Sequence, residues 1–192
     1  MASPVSAQTA RYEIVPTISR FTIRAFASGL LSAFGHSPTF AVRDFEGEVF
    51  FSSDDIGRSR VRITVRANSL GVTDNMKDKD RREIEQVMND DVLQSARYPE
   101  IVLESSSVSG SLWAENQWSV EIAANLSLHG ETNAITIPAR LLTMGETLHA
   151  NGEFTILQTA FGIKPVRAAG GALKVKDELK ATFNIVARKQ DQ

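Results

Sequence analysis

The sequence predicts an all-β protein built as an antiparallel meander, and three observations support this fold class. Apolar and polar residues alternate with period two along most of the 192-residue chain, as in strands that bury one face. Two short segments, His129–Glu131 and Gly145–Glu146, separate alternating runs and contain the glycine typical of hairpin turns. Hydrophobic residues make up 42% and charged residues 23% of the chain, a balance typical of one folded domain.

The alternation predicts about eight strands. The clearest is Arg60–Arg66, in which Val61, Ile63 and Val65 alternate with arginine and threonine. In chain order the alternating segments are Arg20–Phe26, Phe40–Phe51, Arg60–Arg66, Ile101–Ser107, Trp118–His129, Ile135–Leu142, Leu148–Gln158 and Leu179–Arg188. Because each strand has one apolar face, the meander must bury that face either as a sandwich or as a closed barrel.

One segment, at about residues 77–93, has a helical pattern instead. Ile84, Val87, Met88 and Val92 are spaced so that they fall on one face of a helix, and the other positions are rich in charge. We therefore predict one helix outside the sheet, with Ile84, Val87 and Met88 facing the strands.

Charge and composition narrow the function classes. The net charge of −2 leaves no basic excess for nucleic-acid binding, and no apolar run is long enough to span a bilayer as a helix. We predict a flexible N-terminal segment at residues 1–10 and a single domain at residues 11–189. The first ten residues do not form a secretory signal, so we expect a cytoplasmic protein; the alternative is a periplasmic protein whose native signal has been removed.

No residues in the chain form a recognisable reactive constellation. His36, His129 and His149 lack metal-ligand spacing, and there is no cysteine, so we expect neither a metal site nor a cofactor. The segment Gly35–Pro38 lacks the second glycine of a nucleophile elbow. We therefore predict no catalytic residues.

Five motifs in the same order resemble the YceI-like family of lipocalin-like polyisoprenoid-binding proteins, over about Tyr12 to Ala187. They are Tyr12–Phe21, Phe34–Pro38 with Phe45–Val49, Arg97–Ser105, Asn125–Thr132 and Ala160–Ile163. The resemblance implies an extended eight-stranded antiparallel barrel with one flanking helix and a long apolar tunnel that holds an isoprenoid or similar lipid. One departure is Leu157–Ala160, where the family usually carries an arginine and an aspartate before the phenylalanine.

We expect the inward-facing positions of the strands to line this tunnel and contact the ligand. They are Phe21, Ile23, Phe40, Val42, Val61, Ile63, Val65, Ile101, Leu103, Val120, Ile122, Leu126, Ile137, Phe154, Ile156, Phe183 and Ile185. Two polar residues, Gln158 at the end of its strand and His36 in the turn before the second strand, are predicted to contact a lipid head group at the mouth.

The expected function is non-catalytic binding, storage or transport of a long apolar lipid such as a polyisoprenoid or a prenyl quinone. Two alternatives stay open: an enzyme acting on a bound apolar molecule, and a stress-related interaction protein whose barrel is packed solid. The expected partner is the lipid itself, without nucleic acid or an integral membrane segment, and homodimer formation stays open.

Overall fold

Strands dominate the computed structural model, which describes residues 9–28, 37–168 and 173–191. In chain order its elements are β1 Ala10–Ile14, β2 Arg20–Arg24, β3 Ala27–Ser28, β4 Thr39–Val42, β5 Phe45–Phe51, β6 Arg60–Arg66, β7 Leu70–Val72, α1 Asp78–Val87, β8 Glu100–Ala114, β9 Gln117–Leu128, β10 Glu131–Met144, β11 Thr147–Leu157, β12 Arg167–Ala168, β13 Leu173–Val175 and β14 Glu178–Lys189.

Eight strands close into a barrel. Their order around the wall is β1-β5-β6-β8-β9-β10-β11-β14, and β14 pairs back onto β1 with Tyr12 opposite Lys189. Every neighbouring pair runs antiparallel. The predicted antiparallel eight-stranded barrel is confirmed, and closure pairs the strand edges that a sandwich would leave free.

The chain breaks at three places where a single long strand would otherwise run along the wall, and each break leaves two shorter strands. A 3₁₀ turn at Pro16–Ile18 separates β1 from β2, and another at Ala67–Ser69 separates β6 from β7. The predicted strand Phe40–Phe51 is in fact β4 and β5, divided at Arg43–Asp44. At one end of the barrel β2, β4 and β7 continue the wall in the order β14-β2-β4-β7. Proline has no N–H to donate, which explains the first interruption.

Hairpins define the two ends of the barrel. The turns at Glu115–Asn116 and Gly145–Glu146 lie at the end that we call the hairpin end. The turn at His129–Gly130 lies at the opposite end, which we call the helix end, and both of its residues have positive φ, at 55° and 82°. The turns at His129–Gly130 and Gly145–Glu146 match the sequence prediction. The third turn, in which Asn116 has φ of 57°, joins β8 to β9 and is not among the predicted turns.

Helical conformation covers Asp78–Val92, as α1 followed by one wider π-helical turn at Met88–Val92. The Glu85 carboxylate accepts a hydrogen bond from the backbone N–H of Val72 at 2.8 Å, so α1 covers the edge of β7 that pairs with no further strand of this sheet. Ile84 packs against the core, and Met88 is buried. The predicted flanking helix is therefore confirmed. Within the described ranges no helix is long and apolar enough to cross a membrane.

We expect Ile84→Asp to lower the free energy of unfolding by about 2 kcal/mol, because the new carboxylate would lose water contacts against the core without gaining a partner. Urea unfolding followed by circular dichroism measures this change. Gln86→Asp, at an exposed position of the same helix, is the matched control and should leave stability nearly unchanged. Equal stability of the two variants would show that α1 is not docked.

Charged residues cover the outside of the wall. Arg62 and Glu104 are register partners on β6 and β8, with 3.8 Å between their charged groups. Lys180 and Glu153 form a similar pair at 2.8 Å between β14 and β11. Such exposed pairs contribute less than about 1 kcal/mol each. They place the alternate, apolar positions of these strands inside the barrel.

Candidate ligand-binding site

Two apolar cavities lie inside the barrel, one above the other along its axis. The upper cavity, of about 80 Å³, is nearer the hairpin end, and the lower cavity, of about 100 Å³, is nearer the helix end. Four residues line both: Phe21, Ile63, Leu103 and Phe154. Each cavity is several times larger than the roughly 10–15 Å³ that one water molecule needs. We call the two adjoining cavities the tunnel.

The upper cavity is bounded by residues from all eight wall strands. Its wall is formed by Ile14, Phe21, Val49, Phe51, Ser59, Arg60, Val61, Ile63, Leu103, Val108, Val120, Ile122, Ile137, Ala139, Leu141, Leu148, Ala150, Phe154, Phe183 and Ile185. The polar residues in this set are Ser59 and Arg60, at the start of β6, yet no polar atom faces the cavity. The surface offered to a ligand is hydrocarbon throughout.

The lower cavity is lined by Phe21, Ile23, Val42, Ile63, Val65, Leu70, Leu93, Ile101, Leu103, Leu126, Leu128, Phe154, Ile156 and Leu179. All of these residues are apolar. Leu93 follows the π-helical turn, so the helical segment contributes to this wall as well as packing against β7. Because a buried water needs two to four polar partners, a void with such walls suits a hydrocarbon chain better than water.

Three phenylalanines form the waist between the cavities. The rings of Phe21 and Phe183 stack at 6.3 Å, and Phe154 lies 6.4 Å from each of them. Phe183 fits there because β11 has glycine at position 152: a Cβ on Gly152 would lie 2.7 Å from the Phe183 ring and 2.3 Å from the Pro138 carbonyl oxygen. The waist therefore depends on one close approach of backbone to side chain.

Comparison with known proteins identifies the family. The sequence model of the YceI-like domain matches residues 12–187. The chain belongs to the YceI-like family. This confirms the resemblance that the five motifs predict, over the same span. The "UPF0312 protein" of Pseudomonas aeruginosa is 28% identical over 127 residues, which are 63% of this chain and 61% of that protein. "Protein YceI" of Salmonella arizonae is 26% identical over 123 residues, 64% of this chain and 59% of that protein.

Solved structures share the fold. Burkholderia cenocepacia BcnA superposes with a TM-score of 0.69 at 18% identity, covering 90% of this chain and 98% of that one. A domain from Saccharophagus degradans, described as polyisoprenoid binding and implicated in plant cell wall breakdown, gives 0.68 at 14% identity, covering 95% and 100%. At these identities the likeness is one of fold.

In this YceI-like domain the tunnel collects almost all of the inward positions predicted from alternation. Every predicted position except Phe40, Gln158 and His36 lines one or both cavities. Phe40 is buried on β4 but lines neither cavity. His36 lies outside the described residues. Contact of these side chains with a ligand stays a prediction.

Gln158 has a structural contact that strand parity does not reveal. It is 3% exposed, and its side-chain amide donates to the Lys176 carbonyl oxygen at 2.8 Å. Its backbone N–H donates to the Asp177 carbonyl, and its own carbonyl accepts from Ile163. Gln158 therefore ties the end of β11 to the segment before β14. Its predicted head-group contact is untested.

Within the described ranges, the titratable groups other than Arg60 lie away from the tunnel walls. His129 Nδ1 is 3.1 Å from the Phe161 carbonyl oxygen, and its ring lies 4.7 Å from that of Tyr98 in the helix-end turn. Burial raises the pKa of the Tyr12 hydroxyl above its ordinary value of 10.0, so this side chain is neutral near pH 7. Among the described residues no group of three or more His, Asp or Glu side chains could hold a metal.

Several wall residues escape the sequence prediction for different reasons. Ala139 and Leu141 share the parity of Ile137, and Leu148 and Ala150 share that of Phe154, so the alternation within the predicted strands already marks them as inward positions. Leu70 and Leu93 follow interruptions in the chain, and nothing in the local pattern marks them as wall residues.

Proposed function

We propose that this protein binds the hydrocarbon chain of a long apolar lipid, of the polyisoprenoid or prenyl-quinone class, in the tunnel, and that it holds the lipid without chemical change. One observation carries the proposal: a closed barrel contains two adjoining cavities whose walls present hydrocarbon. The Saccharophagus degradans domain of the same fold is described as polyisoprenoid binding, which supports the same ligand class for this chain.

The energetics of transfer favour such a ligand. Each methylene group that moves from water to an apolar wall contributes about 0.8 kcal/mol, so a few isoprene units supply a large gross driving force. Ordering the flexible chain and losing its translational freedom offset much of that gain. A wall without hydrogen-bond donors or acceptors selects against polar and charged segments, because they would lose their water contacts without replacement.

The same walls support the non-catalytic part of the proposal. Proton transfer to or from a substrate requires a titratable side chain within hydrogen-bond distance of the reacting atoms. In the part of the chain that the structure describes, Arg60 is the titratable residue among those bounding the tunnel, and it presents no polar atom to the upper cavity.

Two measurements test the proposal. Organic extraction of the purified protein followed by mass spectrometry should release a lipid with a long apolar chain. Titration of delipidated protein with a prenyl quinone and with a plain hydrocarbon of equal length should show binding of both at micromolar concentration. If the folded protein binds neither ligand, the proposed function is refuted.

A variant that fills the upper cavity should separate binding from folding. Ala139 is 4% exposed and lines that cavity, so Ala139→Leu adds three carbon atoms where there is empty space. We expect at least tenfold weaker binding of a long prenyl chain, together with a free energy of unfolding that is unchanged or higher. Calorimetric titration and urea unfolding measure the two quantities. Ala123→Leu, at an outward position of β9, is the matched control and should bind like the parent.

A further inference from the structure

An aromatic pair closes the tunnel at the hairpin end. Phe51 is the last residue of β5 and Trp118 the second residue of β9, and their rings meet edge to face with centroids 4.9 Å apart. In the closed wall β5 and β9 are separated by β6 and β8. A contact between strands so far apart around the wall must cross the interior of the barrel. Both side chains are nearly inaccessible to solvent, at 4% and 6% exposure.

The pair lies at the end of the upper cavity. Phe51 lines that cavity, and so does Leu141, the register partner of Trp118 on β10. Val120, the next inward position of β9 after Trp118, also lines it. Trp118 itself does not bound the empty space, so the indole packs behind the Phe51 ring. The empty space therefore ends at Phe51, with Trp118 behind it.

The chemistry of this end suits the tail of a lipid. No polar atom faces the upper cavity, so a quinone, hydroxyl or phosphate placed there would lose its hydrogen bonds to water without replacement. The last carbons of an isoprenoid chain carry no polar group and lose nothing by contact with aromatic rings. The head group is consequently excluded from this end.

We propose that Phe51 and Trp118 form the stop against which the free end of the bound chain rests, and that this pair sets the longest chain the barrel can enclose. The inference rests on the proposed function. Each isoprene unit that fits below the stop is removed from water and strengthens binding. A unit beyond that length stays in water at the other end of the tunnel and adds nothing.

The second tryptophan provides the control. Trp113 lies on the outside near the same end: it is 53% exposed, and the Arg140 guanidinium lies 5.0 Å from its ring centroid. The chain has these two tryptophans and no others. Trp113→Ala therefore removes an indole near the hairpin end without changing the tunnel, whereas Trp118→Ala removes the indole behind the stop.

The first experiment measures affinity for a series of prenyl alcohols of increasing length, starting at farnesol. For the parent protein we expect the affinity to rise with each isoprene unit and then to level off at one chain length. Trp118→Ala should move that length upward by about one isoprene unit, because the Phe51 ring can then turn into the space that the indole leaves, and an indole fills at least the volume of five chain carbons in a close-packed interior. Trp113→Ala should leave it unchanged.

Urea unfolding of each variant accompanies the series and shows whether it is folded. If Trp118→Ala does not fold, Phe51→Leu replaces it, because it is a smaller change at the same stop. We expect Phe51→Leu to shift the limiting length in the same direction. An unchanged limiting length in a folded stop variant would refute the stop. If the parent binds none of the alcohols, the proposed function fails, and the stop fails with it; binding without a shift contradicts the stop alone.

The second experiment leaves the stop intact. In Trp113→Phe, Trp118 is the remaining source of tryptophan fluorescence. A prenyl chain of limiting length that carries bromine on its terminal carbon should quench this fluorescence strongly, and the same chain brominated beside the hydroxyl group should not. Equal quenching by both, or stronger quenching by the head-labelled chain, would contradict the assignment of the tail to this end.

Discussion

Replacement of Phe154 by alanine is expected to lower the free energy of unfolding by about 3–5 kcal/mol. Phe154 is 8% exposed, lines both cavities and contacts Phe21 and Phe183 at the waist of the tunnel. Its removal takes away the ring that fills the space between two existing cavities. The strands on either side are hydrogen-bonded to their neighbours and cannot collapse inward, so the enlarged void persists.

Urea unfolding measures this loss for the ligand-free protein. The matched control is Leu157→Ala on the same strand, where the side chain is 48% exposed and the expected loss is less than about 1 kcal/mol. A loss below 1 kcal/mol for Phe154→Ala would show that the waist is not packed as described. If Phe154→Ala loses both stability and prenyl-chain binding, the described packing of the waist is supported. If it keeps full stability, that packing is contradicted.

Gly152→Ala is expected to destabilise the barrel by about 3 kcal/mol, although it adds a single methyl group. The new Cβ would lie 2.3 Å from the carbonyl oxygen of Pro138 on β10 and 2.7 Å from the Phe183 ring. Pro138 is part of the paired wall, so its carbonyl cannot move without disturbing the β9–β10 pairing. Relief would require Phe183 and the β10–β11 ladder to shift together.

Gly145→Ala serves as the comparison, since an added Cβ there meets no atom within 4 Å. Its residue has φ of 56° in the β10–β11 turn, so the substitution should cost only the strain of a left-handed alanine, about 1 kcal/mol. Thermal or urea unfolding of the two variants gives the difference. Equal destabilisation would contradict the close approach at Gly152, because its cost would then not exceed the strain of a left-handed alanine.

The two predictions concern the part of the molecule on which the proposed function depends. The waist residues keep the two cavities distinct, and the wall around them keeps both cavities from collapsing. A barrel can keep such empty space because each of its wall strands is held by hydrogen bonds to both neighbours. The tunnel is therefore a property of the closed wall.

Alternation along the chain was sufficient to predict which side of each strand faces inward. Val61, Ile63 and Val65 line the tunnel, while Arg62 pairs with Glu104 outside. The reason is local: successive side chains of a strand point to opposite faces, so a single apolar set can face only the interior. The helix was predictable for the same kind of reason, because its apolar positions follow a period close to 3.6.

The pattern fails where the backbone leaves the regular strand. In β8 the register shifts between Ser105 and Ser107, so that Val108 faces the upper cavity although it has the opposite parity to Leu103. Three consecutive serines carry no hydrophobic signal that would locate the bulge. Leu93 and Leu70 reach the lower cavity from outside any alternating run. The side-chain amide of Gln158 donates a hydrogen bond to the Lys176 carbonyl oxygen, a contact that the pattern does not predict.

Residue patterns along the chain thus determined the antiparallel strands, the flanking helix and the apolar character of the interior, because all three depend on neighbours within a few positions. The closure of β14 onto β1, the waist at Phe154 and the contact of Phe51 with Trp118 depend on residues that are far apart in sequence. Such contacts arise only when the strands curve into a closed wall, since the distance across a barrel is set by strand number and tilt and not by any single strand.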